Sequence, residues 1–344
     1  MKRRRFIQGL VGASGVALLP GCSGPTSDRL GELLPMRPLG FGPDARRVTC
    51  LGLGGFHIGW TSEKLAAATI EAALEEGVRF FDTAESYGPH TSEERYGRYL
   101  TPDFRDLIFL MTKSTAKDGA TATKHIDDSL RRLKTDTIDL WQIHSIMSPD
   151  DVDERLDAGV LDAALNAKAQ GKIKNIGFTG HASPYAHLRM LERTSDMKDV
   201  FLAALLPISP VDAASRHSFI KEVIPALQER RVACLAMKTL ADGRFFASKQ
   251  VLNKQGESEE VWRAEHPVVP TDLSIQDCVH FALSLPVAVA ITGAENPEFI
   301  REKATFARRF FQFSPEERNA LTAKVAAYAV EGQVEYYKQK DLRG

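Results

Sequence analysis

The chain has 344 residues, 43% hydrophobic and 26% charged, which suits one large globular domain or two small ones. Its 44 basic and 45 acidic residues leave a net charge of −1, so the basic footprint of a nucleic-acid binder is missing. Of four cysteines, Cys50, Cys234 and Cys278 show no metal-ligand spacing, and Cys50 and Cys234 lie in apolar strand-like runs; they read as buried thiols.

Residues 1–22 form an export-signal pattern. A basic head, Lys2 to Arg5, precedes an apolar stretch rich in Gly and Ala that is too short for a comfortable membrane span. Arg3-Arg4-Arg5-Phe6-Ile7 resembles a twin-arginine signal, and LPGC, ending at Cys22, resembles a lipobox that would anchor the protein to a membrane. Removal of 1–21 would leave 40 basic residues against 45 acidic, net −5. The expected location is therefore the periplasm or, through Cys22, a membrane, reached through the export machinery; the plainer alternative is a cytoplasmic protein with a chance basic start. Residues 23–36, rich in Gly, Pro and Ser, read as a tether.

From residue 36 onward a rhythm begins. Residues 36–47, with Gly40 and Gly42, predict a small hairpin plugging the bottom of a barrel. Apolar runs of strand length follow at 48–54, 78–82, 107–113, 138–144, 173–180, 201–208, 232–237 and 287–293. Helical patterns fall between them at 62–76, 121–133, 156–170, 184–193, 218–230 and 272–285. Strands apolar on both faces and alternating with helices predict an α/β fold, a (β/α)8 TIM barrel over residues 37–330. A Rossmann fold is disfavoured, because no G-x-G-x-x-G stands at a strand–helix turn. Residues 241–270 form a long insertion after the seventh strand, and 331–344 a C-terminal tail.

Chemistry in such a barrel sits at the C-terminal strand ends. Asp82, Lys113, His144 and Thr179 end four of the predicted strands, and Tyr87 follows Asp82. Asp82 can pair with Lys113, so neither charge is buried alone. The ammonium would lower the Tyr87 pKa from about 10 toward neutral. Tyr87 could then exchange a proton with a substrate oxygen while His144 orients the carbonyl. Each residue alone has a plainer structural role; their convergence on one mouth favours catalysis.

Three stretches, FFDTAESYG, MTKS and SLRRLKTDTIDLWQIH (129–144), resemble the aldo-keto reductase family, and the resemblance runs from about residue 36 to 327. It implies Tyr87 as proton donor, Lys113 and Asp82 as its tuners, and His144 as the orienting group. It also implies NADPH or NADH as cofactor, near Gly55, Phe56, Asp82, Thr179, Gly180, Met237, Lys238, Leu240, Gly293 and Glu302. A small carbonyl or alcohol substrate would meet Phe56, His57, Trp60, Tyr87 and His144. The sequence departs from the family where Gly180 and His181 replace a carboxamide-binding Asn and its neighbour, and where an apolar residue near Leu202 replaces a Gln. Phe299 and Glu295 stand near the expected 2′-phosphate, with Arg301 and Lys303 the nearest cations. These departures keep open a second reading, a nicotinamide-cofactor sensing or binding module with little turnover.

Overall fold

The structure, a computed structural model, describes residues 25–43, 45–254, 257–263, 267–269, 272–329 and 334–338, with the backbone alone for 248–263. The export signal and Cys22 lie outside the described residues. Eight parallel strands close a barrel: β1 (Leu51–Gly54), β2 (Phe80–Asp82), β3 (Phe109–Ser114), β4 (Leu140–Ile143), β5 (Ile176–Thr179), β6 (Phe201–Pro207), β7 (Ala233–Met237) and β8 (Val287–Gly293). β8 pairs with β1 through Ile291 and Gly52, completing the closure.

Two apolar layers follow from strands buried on both faces. Inside the barrel, Phe80, Phe109, Met111, Leu140, Leu205, Leu235 and Val289 pack together, with the Phe80 and Phe109 rings stacked at 4.8 Å. Gly52 makes room for this stack, because a Cβ there would lie 2.8 Å from the Phe80 ring. Outside, Leu51, Leu53, Phe81, Leu110, Trp141 and Phe178 meet the surrounding helices. Leu39 and Val48 join the inner cluster from a hairpin of Met36–Leu39 and Arg46–Thr49, which plugs the barrel bottom.

Helix Glu63–Glu75 shows how local chemistry sets an element. The Ser62 hydroxyl accepts from Leu65 N, and Ala66, Ile70 and Ala73 face the core. Gly77, at φ +77°, turns the chain, and a Cβ there would lie 2.3 Å from the Glu32 carbonyl. The helix expected at 156–170 is two, Pro149–Asp157 and Val160–Ala169, because Gly159 adopts φ +83° between them. The insertion after β7 contains an antiparallel hairpin, Ser248–Lys254 with Glu257–Arg263.

Two terminal segments pack on the barrel. Residues 25–36 are not a free tether. Ser27–Asp28 and Gly31–Glu32 pair as a hairpin, Leu34 enters the outer core, and Asp28 takes a bidentate bond from the buried Arg79 at 2.6 and 2.9 Å. A guanidinium buried at the start of β2 needs that counter-charge. The tail is likewise anchored within 334–338. Lys338 Nζ lies 2.7 Å from the buried Asp212 and 2.6 Å from Glu335, and Val334 and Tyr337 are buried.

Candidate active site

Register brings Asp82, Tyr87, Lys113 and His144 together. Asp82 pairs with Met111 on β3, and Lys113, two residues farther, points the same way one layer nearer the mouth. Its Nζ lies 2.6 Å from Asp82 Oδ1, 2.8 Å from the Thr83 carbonyl and 3.2 Å from the Tyr87 hydroxyl. The loop carrying Tyr87 is fastened by Glu85, whose carboxylate accepts from Thr115 N at 2.8 Å and Thr115 Oγ1 at 2.6 Å. His144 follows β4, with its ring 5.7 Å from that of Tyr87.

Burial pushes the Asp82 carboxyl up, against the pull of Lys113. Burial alone would lower Lys113, but Asp82 and Tyr87 hold it above the ordinary lysine value, so it stays an ammonium. Burial, with a smaller contribution from Lys113, takes His144 well below the usual histidine range; its imidazole is neutral, with Nδ1 buried and without a hydrogen-bond partner among the described residues. The Tyr87 expectation is corrected: its phenol lies above 10, not toward neutral, because burial outweighs the attraction of Lys113. Asp82 already neutralises much of that ammonium's field.

The side of the mouth expected to meet the substrate is aromatic. Phe56, half exposed, meets Tyr87 edge-on at 5.5 Å, and Trp60, 60% exposed, flanks Phe56 at 6.2 Å. Gly55 lets this turn approach β2, since a Cβ would lie 2.5 Å from the Asp82 carbonyl. His57 is turned aside: its Nε2 is 3.2 Å from Glu295 and its ring covers Gly293.

The expected cofactor residues line the rest of the mouth unevenly. Thr179 ends β5, and Gly180 lies where a Cβ would meet the Ile146 carbonyl at 2.4 Å. Met237 ends β7, and Lys238 follows at φ +54°, with Leu240 packed beside the turn. Gly293 accepts from the buried Lys303 at 2.7 Å, whereas Glu302 is exposed. Leu202 is corrected: it sits near the barrel bottom against Gly40, and the residue registered with Thr179 is Leu205, also apolar.

Two contributors escaped the sequence reading. Arg155, 2% exposed, donates to the His144 carbonyl at 2.8 Å and the Ser145 carbonyl at 3.2 Å. Its i,i+4 spacing from Asp151 looks like an ordinary surface pair. The segment 334–338 reaches across the mouth: Tyr337 packs edge-on to His181 at 5.6 Å and lies under Lys238 at 4.8 Å, and Tyr336 bonds Asp242.

Residues 50–326 match the Aldo/keto reductase family. The chain belongs to that family. It is similar to an uncharacterized oxidoreductase, YqkF, of Bacillus subtilis, 27% identical across 83% of this chain and 95% of the relative. It is also similar to a 6-dehydroglucose reductase of Novosphingobium aromaticivorans, 34% identical over 41% of this chain and 53% of the relative. The holo form of aldo-keto reductase AKR11C1 from Bacillus halodurans shares the fold, with a TM-score of 0.65, 23% identity, and coverage of 85% of this chain and 96% of that one. This aldo-keto reductase is thus an oxidoreductase of a family that uses nicotinamide cofactors.

The residues present fit such a cofactor. Among the described residues the buried His57 Nδ1 has no hydrogen-bond partner, the Lys238 side chain stands beside the β7 turn, and Phe299 offers a half-exposed ring. Near the expected 2′-phosphate position, Arg301 is paired with Glu75 at 2.8 Å, and Lys303 is buried on the Gly293 carbonyl.

Proposed function

We propose that the enzyme reduces an aldehyde or ketone to an alcohol, or runs the reverse reaction, with Tyr87 as general acid and base. The observation that carries this reading is the Lys113 ammonium, 2.6 Å from Asp82 and 3.2 Å from the Tyr87 hydroxyl, at a mouth shared with a neutral His144. The neutral imidazole can donate a hydrogen bond to the carbonyl oxygen without competing for the proton. Tyr87, its phenol held above its ordinary pKa by burial, gives its proton to that oxygen as negative charge develops there. Lys113 then stabilises the phenolate, and Asp82 keeps Lys113 charged and aimed. A bound reduced nicotinamide supplies the hydride; Thr179, Gly180, His181, Met237, Lys238, Leu240 and Gly293 would hold it.

The substrate proposed is a polar carbonyl compound of sugar type. The Phe56 and Trp60 rings offer flat faces for its apolar side, and the named activity of the Novosphingobium relative supports the class. Export through Arg3 and Arg4, with anchoring at Cys22, is proposed from the N-terminal pattern.

The test adds NADH or NADPH and a panel of keto-sugars and aldehydes to the purified protein and follows the reduced-nicotinamide absorbance. Carbonyl-dependent oxidation supports the enzyme. Cofactor binding without turnover across the panel would instead favour a cofactor-sensing module.

A further inference from the structure

Opposite the catalytic mouth, at the N-terminal strand ends, lies a second open depression of 650 Å³. Phe109 and Leu202 floor it, and Arg46, Lys168, Lys198 and Arg231 stand around it, with Asp199 the carboxylate among the described lining residues. Its positive character runs deeper than this rim. The buried Asp139, which pairs with the rim's Arg46 at 2.7 Å, is also approached by Arg105 at 2.8 Å and Lys174 at 2.9 Å, so one negative charge faces three positive ones. This concentration stands out in a chain whose net charge is −1.

At the rim, the turn of the plug hairpin presents Phe41, 42% exposed, with the Arg231 guanidinium 5.6 Å from its ring. An exposed aromatic ring beside cations is the pairing that settles at a bilayer interface, the ring among acyl chains and the cations among headgroups. The N-terminal segment leaves from the same end of the barrel. Leu34 bonds the Gly77 carbonyl, and Asp28 holds Arg79, the residue before β2. The first described residues, 25–34, therefore lie at this end of the barrel.

We propose that this cationic, aromatic-rimmed face docks on an anionic phospholipid surface, with lipid phosphates at Lys168, Lys198 and Arg231 and Phe41 at the acyl boundary. The bilayer then lies against the barrel bottom, and the catalytic mouth faces the aqueous side. Cations spread around an open depression suit several headgroups at once better than one small anion, which would be held by converging donors.

The test uses the full chain carrying Cys22→Ala, so that no acyl anchor contributes, and a second protein with Lys168→Glu, Lys198→Glu and Arg231→Glu added. Partitioning is measured by co-sedimentation with vesicles of phosphatidylcholine alone and of phosphatidylcholine with 30% phosphatidylglycerol. Both chains keep the basic N-terminal head, so the difference between them reports the barrel face. Each cation near an anionic surface is worth roughly fivefold in binding, so reversing three should weaken partitioning to the anionic vesicles at least tenfold. The parent's binding should also fall with salt. An unchanged melting midpoint for the charge-reversed protein shows that it folds, and Phe41→Ser provides a second variant that should weaken binding without altering charge. Equal partitioning of the parent and charge-reversed chains overturns the proposal. So does thermal stabilisation by glycerol phosphate at concentrations that leave the protein unbound to anionic vesicles, which would assign the face to a soluble phosphate.

Discussion

The Arg155 guanidinium donates to the backbone carbonyl of His144 at 2.8 Å, from a side chain almost without solvent contact. It also bonds the next carbonyl, that of Ser145, which adopts φ +58°, and its Nε holds Asp151 at 2.9 Å. One buried cation thus fixes the turn that aims the neutral imidazole. Its charge also contributes to keeping His144 deprotonated.

Arg155→Ala should leave those buried carbonyls without their donor and Asp151 with Lys117 as its remaining cation, costing about 1–3 kcal/mol in stability. Arg155→Lys keeps the charge but cannot span two carbonyls and a carboxylate at once. It should recover much of the stability while KM for the carbonyl substrate stays raised. Denaturant melts and steady-state kinetics on both variants check this; full activity in Arg155→Ala would show that the turn holds itself.

Tyr87→Phe removes a hydroxyl and keeps the ring packed on Phe56 and His144. Turnover should fall about 10²–10⁴-fold, with cofactor affinity nearly unchanged, because the loss falls on the transition state. Lys113→Met should act differently, since it strands Asp82 in a buried site. Both stability and turnover should suffer. Wild-type turnover in Tyr87→Phe would rule out Tyr87 as the acid.

The barrel and the convergence of Asp82, Lys113 and His144 were legible in the sequence because both depend on short-range pattern. Continuous apolar runs ending in Asp82, Lys113 and His144 announce strand tips, and barrel closure brings such tips together whatever their separation in the chain. The sign of the Tyr87 shift was not legible: it depends on how far burial outweighs a cation already shared with Asp82, which only three-dimensional packing decides. Arg155 was hidden by its helical spacing from Asp151, which looks the same whether solvent or the His144 turn lies beyond it. Docking of 334–338 was hidden more completely, because nothing in the local sequence names Asp212, more than a hundred residues earlier, as the partner of Lys338.

That docked segment should respond to pH. Burial, together with the neighbouring Asp212, raises Glu335 to about 7, with Lys338 opposing. A carboxyl raised on folding binds its proton more tightly in the docked state. Its contribution is therefore complete below about 4.5 and lost as pH rises through about 7, amounting to at most about 3 kcal/mol. His181 and His187, both lowered to about 4 by burial, act in the opposite sense, losing stability as pH falls from 6.5 toward 4. Glu335→Gln isolates the first effect. The stability difference between wild type and variant should grow against the wild type from pH 4.5 to 8, and a difference independent of pH would show that Glu335 does not titrate in this range.

Cofactor choice follows from the cations near β8. Arg301 is engaged by Glu75, and Lys303 is buried on the Gly293 carbonyl, where burial lowers its pKa. Glu295 stands nearby on His57, and Phe299 exposes an apolar ring. A 2′-phosphate is held best by a free Arg or Lys in bidentate or direct contact, and here it would have to displace an existing partner. NADH should therefore bind at least as tightly as NADPH. Arg301→Ala should change neither affinity by more than about threefold, since its partner is Glu75 rather than the cofactor. Dissociation constants for both cofactors, measured by fluorescence titration of the wild type and Arg301→Ala, decide the matter. A hundredfold preference for NADPH, about 2.7 kcal/mol, that collapses in Arg301→Ala would show that this guanidinium leaves Glu75 to take the phosphate.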